Sequence, residues 1–292
     1  MRFKRTKAVI AAAGLSLALA ACGGDDGGET DVEVADNPEF DSGTAMADLA
    51  DAGKIRIGVK VDQPGIGFQE PGADAPSGFD IEIGRIIAAG LGIESDNIDW
   101  VETISDNREP FLKEDKVDLV IASYSITDER RAVVGQAGPY YVTGQQLLVR
   151  EEDKDKITGP DDLKDLKVCS VTGSTSLENV VEQYGAEPAP FDTYSECVDN
   201  LKNETVDVVT TDGAILLGYA AEDPDELEVV GDAFSEERYG VGYSKDSPEL
   251  CQYITDTIQT AMDDGTWADA FEATLGESGV DTPEPPKMDP CQ

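Results

Sequence analysis

The segment Asp118–Tyr141 constrains the fold more than any other part of the chain. It begins with a short apolar run, Leu119–Ala122, whose length and polar borders predict a buried strand. Ser123 and Ser125 follow that strand, and a short helical segment carrying Arg130 comes next. In open α/β sheets ligands bind at the carboxyl ends of strands, where hydroxyls, helix N–H groups and a guanidinium suit a carboxylate. An ordinary strand-to-helix turn with a surface arginine explains the same residues equally well.

The chain around this segment alternates between strand and helix patterns. Ile55–Val61 is β-branched and alternating, which predicts a strand, whereas Phe79–Leu91 has apolar residues at helical spacing. Pro110 fits the first turn of another helix, which the strand of Asp118–Tyr141 follows. This repeat favours parallel α/β layers.

The N-terminus has the pattern of a bacterial lipoprotein signal peptide. An apolar run, Ala8–Ala21, is too short to span a bilayer and ends in Leu-Ala-Ala-Cys at Cys22. Four cations precede it: Arg2, Lys4, Arg5 and Lys7. We expect cleavage after residue 21 and a lipid anchor on Cys22 that holds the protein to the outer face of the cell membrane. A plain signal peptide with an incidental cysteine is the alternative.

Composition excludes several classes of function. The formal charge is −39, and removal of residues 1–21 deletes four cations and no anions, which gives −43. Such a surface argues against nucleic acid and anionic lipid as direct partners. The chain has no histidine, which excludes Ser-His-Asp and Cys-His catalysis and histidine metal sites. We expect no cofactor and no metal. Residues 22–43 are rich in Gly, Asp and Glu and predict a flexible acidic tether.

Five motifs together resemble the family 3 solute-binding proteins of amino-acid ABC transporters, over about residues 50–276 and in the family's order. The central one is S-Y-S-I-T-D-E-R, followed by P-Y-Y. The motifs lie at Gly78–Asp80, Ser123–Arg130, Gly173–Thr175, Asp207–Asp212 and Met262–Trp267. Within the family, three further segments resemble the glutamate-binding lipoproteins of Gram-positive actinobacteria: Val61–Gly65, Cys169–Thr175 and Asp192–Val198.

The resemblance implies an α/β, two-lobed, periplasmic-binding-protein-like fold of type II with the ligand in the interlobe cleft. Gln145–Val149 and Tyr239–Tyr243 would be the two hinge strands. Lobe one would comprise residues 44–145 plus 242–292, and lobe two residues 146–241. Hinge closure would enclose the ligand.

Four cysteines remain after Cys22, and outside the cell they predict two disulfides with three possible pairings. Local pairing would keep each bridge within one lobe. It would join Cys169 to Cys197, as in the glutamate-binding relatives, and Cys251 to Cys291.

The family also implies roles for particular residues toward an amino acid. Arg130 would pair with the α-carboxylate, assisted by Ser123 and Ser125, and Thr175 would reach it from lobe two. Asp212, just after a predicted strand, would hold the α-ammonium. A surface acid is the rival explanation for Asp212 in a chain with 61 Asp and Glu residues.

Two further cations are assigned to the ligand's side chain. Ser105 and Arg108 belong to an S-D-N-R sequence that resembles S-x-N-R in glutamate- and aspartate-binding relatives, where the arginine holds the side-chain carboxylate of the ligand. Lys60 matches a cation of those relatives. A helical surface arginine and a solvated lysine are the alternatives. Weaker candidates for the cavity wall are Phe68, Tyr124 and Thr172. Thr175 also begins a T-x-x-E pattern typical of a helix capping box.

The predicted function is therefore binding rather than catalysis. We expect a monomeric, lipid-anchored protein that captures L-glutamate, with aspartate or glutamine as the alternative ligand, and delivers it to the permease of an ABC transporter. One alternative is an amino-acid-sensing lipoprotein without transport. The other is an enzyme on the same fold, such as a cyclic-acid dehydratase or a peptidoglycan lyase.

Overall fold

A computed structural model of the protein describes residues 30 and 32–291. The predicted signal peptide and Cys22 lie outside this range. Within it the chain forms two five-stranded mixed sheets and a small two-stranded hairpin, with helices on the sheet faces. None of the helices in this range is long and apolar enough to cross a membrane.

The first sheet, which forms lobe one, has the strand order β4-β1-β5-β12-β6. Its strands are β1 (Ile55–Val59), β4 (Ile98–Glu102), β5 (Leu119–Val120), β6 (Gly135–Thr143) and β12 (Glu237–Tyr243). β1 is parallel to β4 and β5, whereas β12 is antiparallel to β5 and β6. The carboxyl ends of β1, β4 and β5 therefore meet at one edge, where the predicted site residues of lobe one follow.

Helices of lobe one cover this sheet. They are α1 (Ala45–Ala52), α2 (Phe79–Gly90), α3 (Arg108–Lys113), α4 (Asp128–Val133), α8 (Leu250–Asp264) and α9 (Thr266–Glu272). α8 shows why this sequence is helical: Ile254, Ile258 and Ala261 recur at helical spacing and form its buried face. Gly265, within the motif at Met262–Trp267, is in the left-handed conformation at φ 97°; it ends α8 and starts α9.

The second sheet, which forms lobe two, has the order β11-β7-β10-β8-β9. Its strands are β7 (Gln145–Arg150), β8 (Lys167–Cys169), β9 (Glu187–Pro188), β10 (Val208–Asp212) and β11 (Leu227–Val230). Its helices are α5 (Thr175–Tyr184), α6 (Tyr194–Lys202) and α7 (Gly213–Glu222). β8 and β10 are parallel, so the loops that carry Thr175 and Asp212 leave the sheet at the same edge.

The lobe boundaries differ from those predicted. Gln145 pairs with Asp212 in the second sheet, so lobe two begins one residue earlier than 146. β12 lies wholly in the first sheet, so the chain returns to lobe one before Glu237 and not at residue 242. The boundary was misplaced because β12 pairs with β6 and β5, which are distant in sequence.

The predicted tether, residues 22–43, also needs correction at its C-terminal end. Val32 and Phe40 pack against the core of lobe one, and the Ala35 N–H donates to the Ala89 carbonyl oxygen at 2.9 Å. These two apolar side chains pack on a hydrophobic surface, although the composition of the residues around them is that of a linker.

A two-stranded hairpin connects lobe one with lobe two. It consists of β2 (Asp62–Gln63) and β3 (Gly67–Phe68). Asp62 Oδ2 accepts a hydrogen bond from the Tyr194 N–H at 2.8 Å, at the start of α6. The Tyr219 hydroxyl of α7 donates to the Asp62 carbonyl oxygen. The hairpin is therefore held against lobe two at both helices.

Both predicted disulfides are confirmed. Cys169 and Cys197 join β8 to α6 within lobe two, with their Cα atoms 5.6 Å apart. Cys251 and Cys291 join α8 to the C-terminal tail within lobe one, at 5.8 Å.

Removing either disulfide should destabilise the protein measurably. The bridges close loops of 28 and 40 residues, and loop-closure entropy predicts a loss of about 3–4 kcal/mol for each. We expect Cys169→Ala/Cys197→Ala and Cys251→Ala/Cys291→Ala to lower the free energy of unfolding by similar amounts in urea denaturation. An unchanged free energy in either double variant would contradict the loop-closure argument for that bridge.

Candidate functional site

A small polar cavity lies between the two lobes. Lobe one contributes Ser105, Arg108, Ser123, Ser125 and Arg130. Lobe two contributes Ser174, Thr175, Ser176, Tyr194, Thr211, Asp212 and Ile215. The lining is dominated by hydroxyls, two guanidiniums and one carboxylate, so the cavity suits a small charged molecule.

The two arginines lie together on the lobe-one side. Their guanidinium carbons lie 4.6 Å (Arg108) and 5.1 Å (Arg130) from the centroid of the Tyr124 ring. Each donates through Nη2 to the carbonyl oxygen of Gly173 in lobe two, at 3.1 and 3.0 Å respectively. Two like charges thus share one ring and one acceptor, an arrangement that an anion would stabilise.

Backbone carbonyl groups hold Arg108 in place. Its Nε donates to the carbonyl oxygen of Ser105. Its Nη1 donates to the carbonyl oxygens of Ala122 and Ser123, just after β5. Arg108 is buried and forms no salt bridge among the described residues. Burial and the neighbouring Arg130 lower its pKa to about 10, so the guanidinium is a charged group without a carboxylate partner.

Lys60 adds a third cation behind the arginines. It follows β1, is buried, and donates through Nζ to Ser105 Oγ at 2.9 Å. Burial, and then the charge of Arg108, lower its pKa to about 7. Glu109 balances part of this charge, since its Oε1 lies 3.5 Å from Arg130 Nε and accepts from the Tyr124 hydroxyl at 2.7 Å.

Asp212 faces these cations from lobe two. It ends β10 and precedes α7, but its carboxylate does not cap that helix. Oδ2 accepts from the Tyr239 hydroxyl at 2.6 Å, whereas Oδ1 is buried with no partner in the described part of the chain. Burial and then the charge of Glu237 raise the pKa of Asp212 to about 7. The free oxygen is therefore available to a cationic group in the cavity.

Asp80 explains the Gly-Phe-Asp motif that precedes α2. Its carboxylate is fully buried and accepts from the Ser123 N–H and from the Tyr140 hydroxyl, both at 2.6 Å. Ser123 has a positive φ of 42°, which a serine rarely adopts. Asp80 thus holds the Ser123 backbone in the conformation that brings Ser123 to the cavity.

Thr175 lies at the cavity, but the predicted capping role is wrong. Ser174 is the N-cap of α5, and its hydroxyl accepts from the Leu177 N–H at 3.1 Å. Thr175 is the first helical residue, and its hydroxyl donates to Glu237 Oε2 at 2.9 Å. The T-x-x-E pattern is one residue out of register with the helix start.

Seven of the eleven predicted binding residues line the cavity: Ser105, Arg108, Ser123, Ser125, Arg130, Thr175 and Asp212. The other four lie elsewhere. Lys60 is behind Ser105, and Tyr124 is beneath the two arginines. Phe68 pairs with Asp62 in the hairpin, and Thr172 is exposed. Phe68 does not line the cavity, and its role in the cavity wall stays a prediction.

The sequence did not single out five residues that line the cavity: Ser174, Ser176, Tyr194, Thr211 and Ile215. Three of them are sequence neighbours of correctly placed residues, since Ser174 and Ser176 flank Thr175 and Thr211 precedes Asp212. Tyr194 begins α6 and Ile215 lies in the first turn of α7. Only the packing of these helices against the cleft reveals them.

The arrangement separates charge across the cleft. Cations and hydroxyls lie on the lobe-one side, and an unpartnered carboxylate oxygen lies on the lobe-two side. No group of His, Cys, Asp or Glu in the described residues could hold a metal ion. The cavity is thus complementary to a zwitterion with excess negative charge.

Comparisons with known proteins agree with this geometry. Residues 55–277 match the bacterial extracellular solute-binding proteins, family 3. The glutamate-binding protein GluB of Corynebacterium efficiens is 36% identical over 287 residues, covering 94% of this chain and 92% of that protein. A glutamine-binding protein of Geobacillus stearothermophilus is 32% identical over 248 residues, covering 82% of this chain and 92% of that protein.

Solved structures share the fold as well. An ancestral arginine-binding protein bound to glutamine is 34% identical, with a TM-score of 0.71, and the similarity covers 77% of this chain and 98% of that one. The chain therefore belongs to the family 3 bacterial extracellular solute-binding proteins.

Proposed function

We propose that this protein captures L-glutamate outside the cytoplasm and delivers it to the permease of an ABC transporter. The observation that carries the proposal is the pair of buried basic side chains at the cleft, Lys60 and Arg108, with the half-buried Arg130 beside them and the free oxygen of Asp212 opposite. Lys60 and Arg108 form no salt bridge among the described residues. Buried charges require partners, and a bound dicarboxylate would supply them.

The proposed orientation of glutamate follows from the charges. The α-carboxylate would lie against Arg130, with Ser123 and Ser125 as further donors and the Thr175 N–H reaching it from lobe two. The α-ammonium would lie against Asp212 Oδ1. The side-chain carboxylate would then reach the end of the cleft where Arg108, Ser105 and Lys60 meet.

Charge balance favours glutamate over glutamine and arginine. Glutamine would leave one buried cation without an anion, and arginine would bring a further cation toward Arg108 and Lys60. The relatives support a ligand of this size, since they include glutamate-binding and glutamine-binding proteins. Aspartate has the same charges but a shorter reach.

Transport and anchoring belong to the same proposal. The predicted lipid on Cys22 would hold the monomer near its permease, with residues that follow Cys22 as the tether.

A sensing lipoprotein is the second candidate, because the same cavity would serve it. A deletion strain that loses glutamate uptake, and regains it with the intact gene, supports transport; normal uptake without the gene favours sensing. We infer that the protein catalyses no reaction.

Arg130→Ala should abolish binding of glutamate and of every other amino acid that the protein binds. Arg130 is assigned to the α-carboxylate that all amino acids share, and breaking a buried ion pair costs about 3–5 kcal/mol. Titration calorimetry of the soluble body should show one site per chain in the wild type and a loss of at least about 100-fold in the variant.

Arg131→Ala is the matched control. Arg131 is the next residue of α4 but pairs with Asp289 at 2.8 Å, outside the cavity. A partly exposed pair of this kind contributes about 0.2–1 kcal/mol to stability, so glutamate affinity should not change. Equal affinity of both variants and the wild type would remove the α-carboxylate contact from the proposal.

Arg108→Ala should weaken glutamate binding far more than glutamine binding. The variant lacks the hydrogen bond between Arg108 and the Gly173 carbonyl whichever ligand is bound. Only bound glutamate also loses a cation beside its side-chain carboxylate. A hydrogen bond to a charged group is worth about 1.5–3 kcal/mol, so the ratio of the two dissociation constants should shift at least about tenfold. Lys113→Ala, on the exposed face of the same helix, should shift neither. Equal losses for both ligands would move Arg108 out of the specificity role.

Glutamate affinity should fall as the pH is lowered below about 7. Burial raises the pKa of Asp212 to about 7, and only the ionised carboxylate pairs with the ligand's ammonium group. Protonation of Asp212 should therefore weaken binding up to about tenfold per pH unit, because one pH unit is worth 1.36 kcal/mol. Calorimetry between pH 5 and 7 measures the slope, and a flat profile would mean that Asp212 is already ionised in the free protein.

A further inference from the structure

Gln63 is a buried polar side chain that the proposed contacts leave unused. It is fully buried in β2, and neither Oε1 nor Nε2 has a hydrogen-bond partner among the described residues. A primary amide offers two donors and one acceptor, and its burial without partners is unfavourable. Such a group requires either a structural explanation or a binding partner.

Gln145 shows what a structural glutamine looks like in the same protein. It is also fully buried, but its Nε2 donates to the Ser176 carbonyl oxygen and to Thr210 Oγ1, at 3.0 and 2.9 Å. Its Oε1 accepts from Asn179 at 2.8 Å. The two glutamines are equally buried, but the Gln145 amide is fully hydrogen-bonded and the Gln63 amide is not. Burial alone therefore does not explain why the Gln63 amide lacks partners.

The sequence neighbours of Gln63 lie at the cation end of the cleft and against lobe two. Lys60, three residues earlier, contacts Ser105 of the cavity lining. Asp62 receives the Tyr194 N–H, and Tyr194 also lines the cavity. Pro64 lies so close to α7 that a Cβ on Gly218 would collide with its carbonyl oxygen. Gln63 is therefore flanked on both sides by residues in contact with lobe two.

We propose that Gln63 is a specificity residue whose amide hydrogen-bonds the side-chain end of the bound amino acid, beside Lys60. This inference rests on the proposed function. Nε2 can donate to the side-chain carboxylate of glutamate, and Oε1 can accept from the side-chain amide of glutamine. The ligand would thus supply hydrogen-bond partners to an amide that has none among the described residues.

Gln63→Met tests the proposal through two measurements that should change in opposite directions. Methionine has a similar length and no polar amide, so the ligand-free protein should melt at a higher temperature. Glutamate binding should weaken at least tenfold, because the ligand's side-chain carboxylate loses a donor. Gln145→Met is the matched control, and it should lower the melting temperature because three hydrogen bonds are lost.

Gln63→Glu tests the chemistry of the contact. A carboxylate at this position repels the side chain of glutamate but can accept from the side-chain amide of glutamine. The ratio of the glutamate to the glutamine dissociation constant should rise at least tenfold. A purely structural amide would change both constants by the same factor.

The outcomes separate this inference from the proposed function. If the wild-type protein binds no acidic or amide amino acid in calorimetry, the proposed function fails. If the wild type binds glutamate but Gln63→Met binds it equally well, only the role of Gln63 fails. A lower melting temperature of ligand-free Gln63→Met would also overturn it, because the amide would then have a structural partner such as a buried water molecule.

Discussion

Burial of positive charge at the edge of the first sheet is the constraint on which the rest of the site depends. The guanidinium of Arg108 can remain charged away from water because carbonyl groups at the end of β5, the Ser105 carbonyl and the Tyr124 ring surround it. Those carbonyls are free only because β5 stops after two residues and the chain turns at Ser123. Asp80 holds that turn through the Ser123 N–H. The short strand, the positive φ and the buried acid thus serve one electrostatic purpose.

The division of charge between the lobes gives the cleft a local field that opposes that of the whole molecule. The chain carries a formal charge of −39, yet the cations of the cavity lie on one side and Asp212 on the other. Charges farther away than about 8–10 Å are largely screened at moderate ionic strength, whereas buried neighbours are not. An acidic ligand therefore responds mainly to the cleft once it has entered.

Residues at the ends of parallel strands were predictable from the sequence, because local motifs and the geometry of parallel sheets determine where they lie. Ser125 and Asp212 are examples, and Arg130 lies in the helix that follows Ser125. Details that depend on packing were not. Ser174 replaces Thr175 as the helix cap, the pairing of β12 moves the lobe boundary, and Phe68 does not line the cavity. Gln63, in a Gln-Pro-Gly turn, has no sequence pattern that indicates complete burial.

The shared contact at Gly173 also holds the two lobes together in the absence of a ligand. The Gly173 carbonyl accepts from both arginines across the cleft, and Asp62 joins the hairpin to α6. These contacts involve no ligand, so part of the free energy of closure comes from the protein itself. A ligand shifts such an equilibrium only by its differential affinity for the two states. The ligand-free protein would then adopt the closed arrangement for part of the time, to an extent that these contacts between the lobes set.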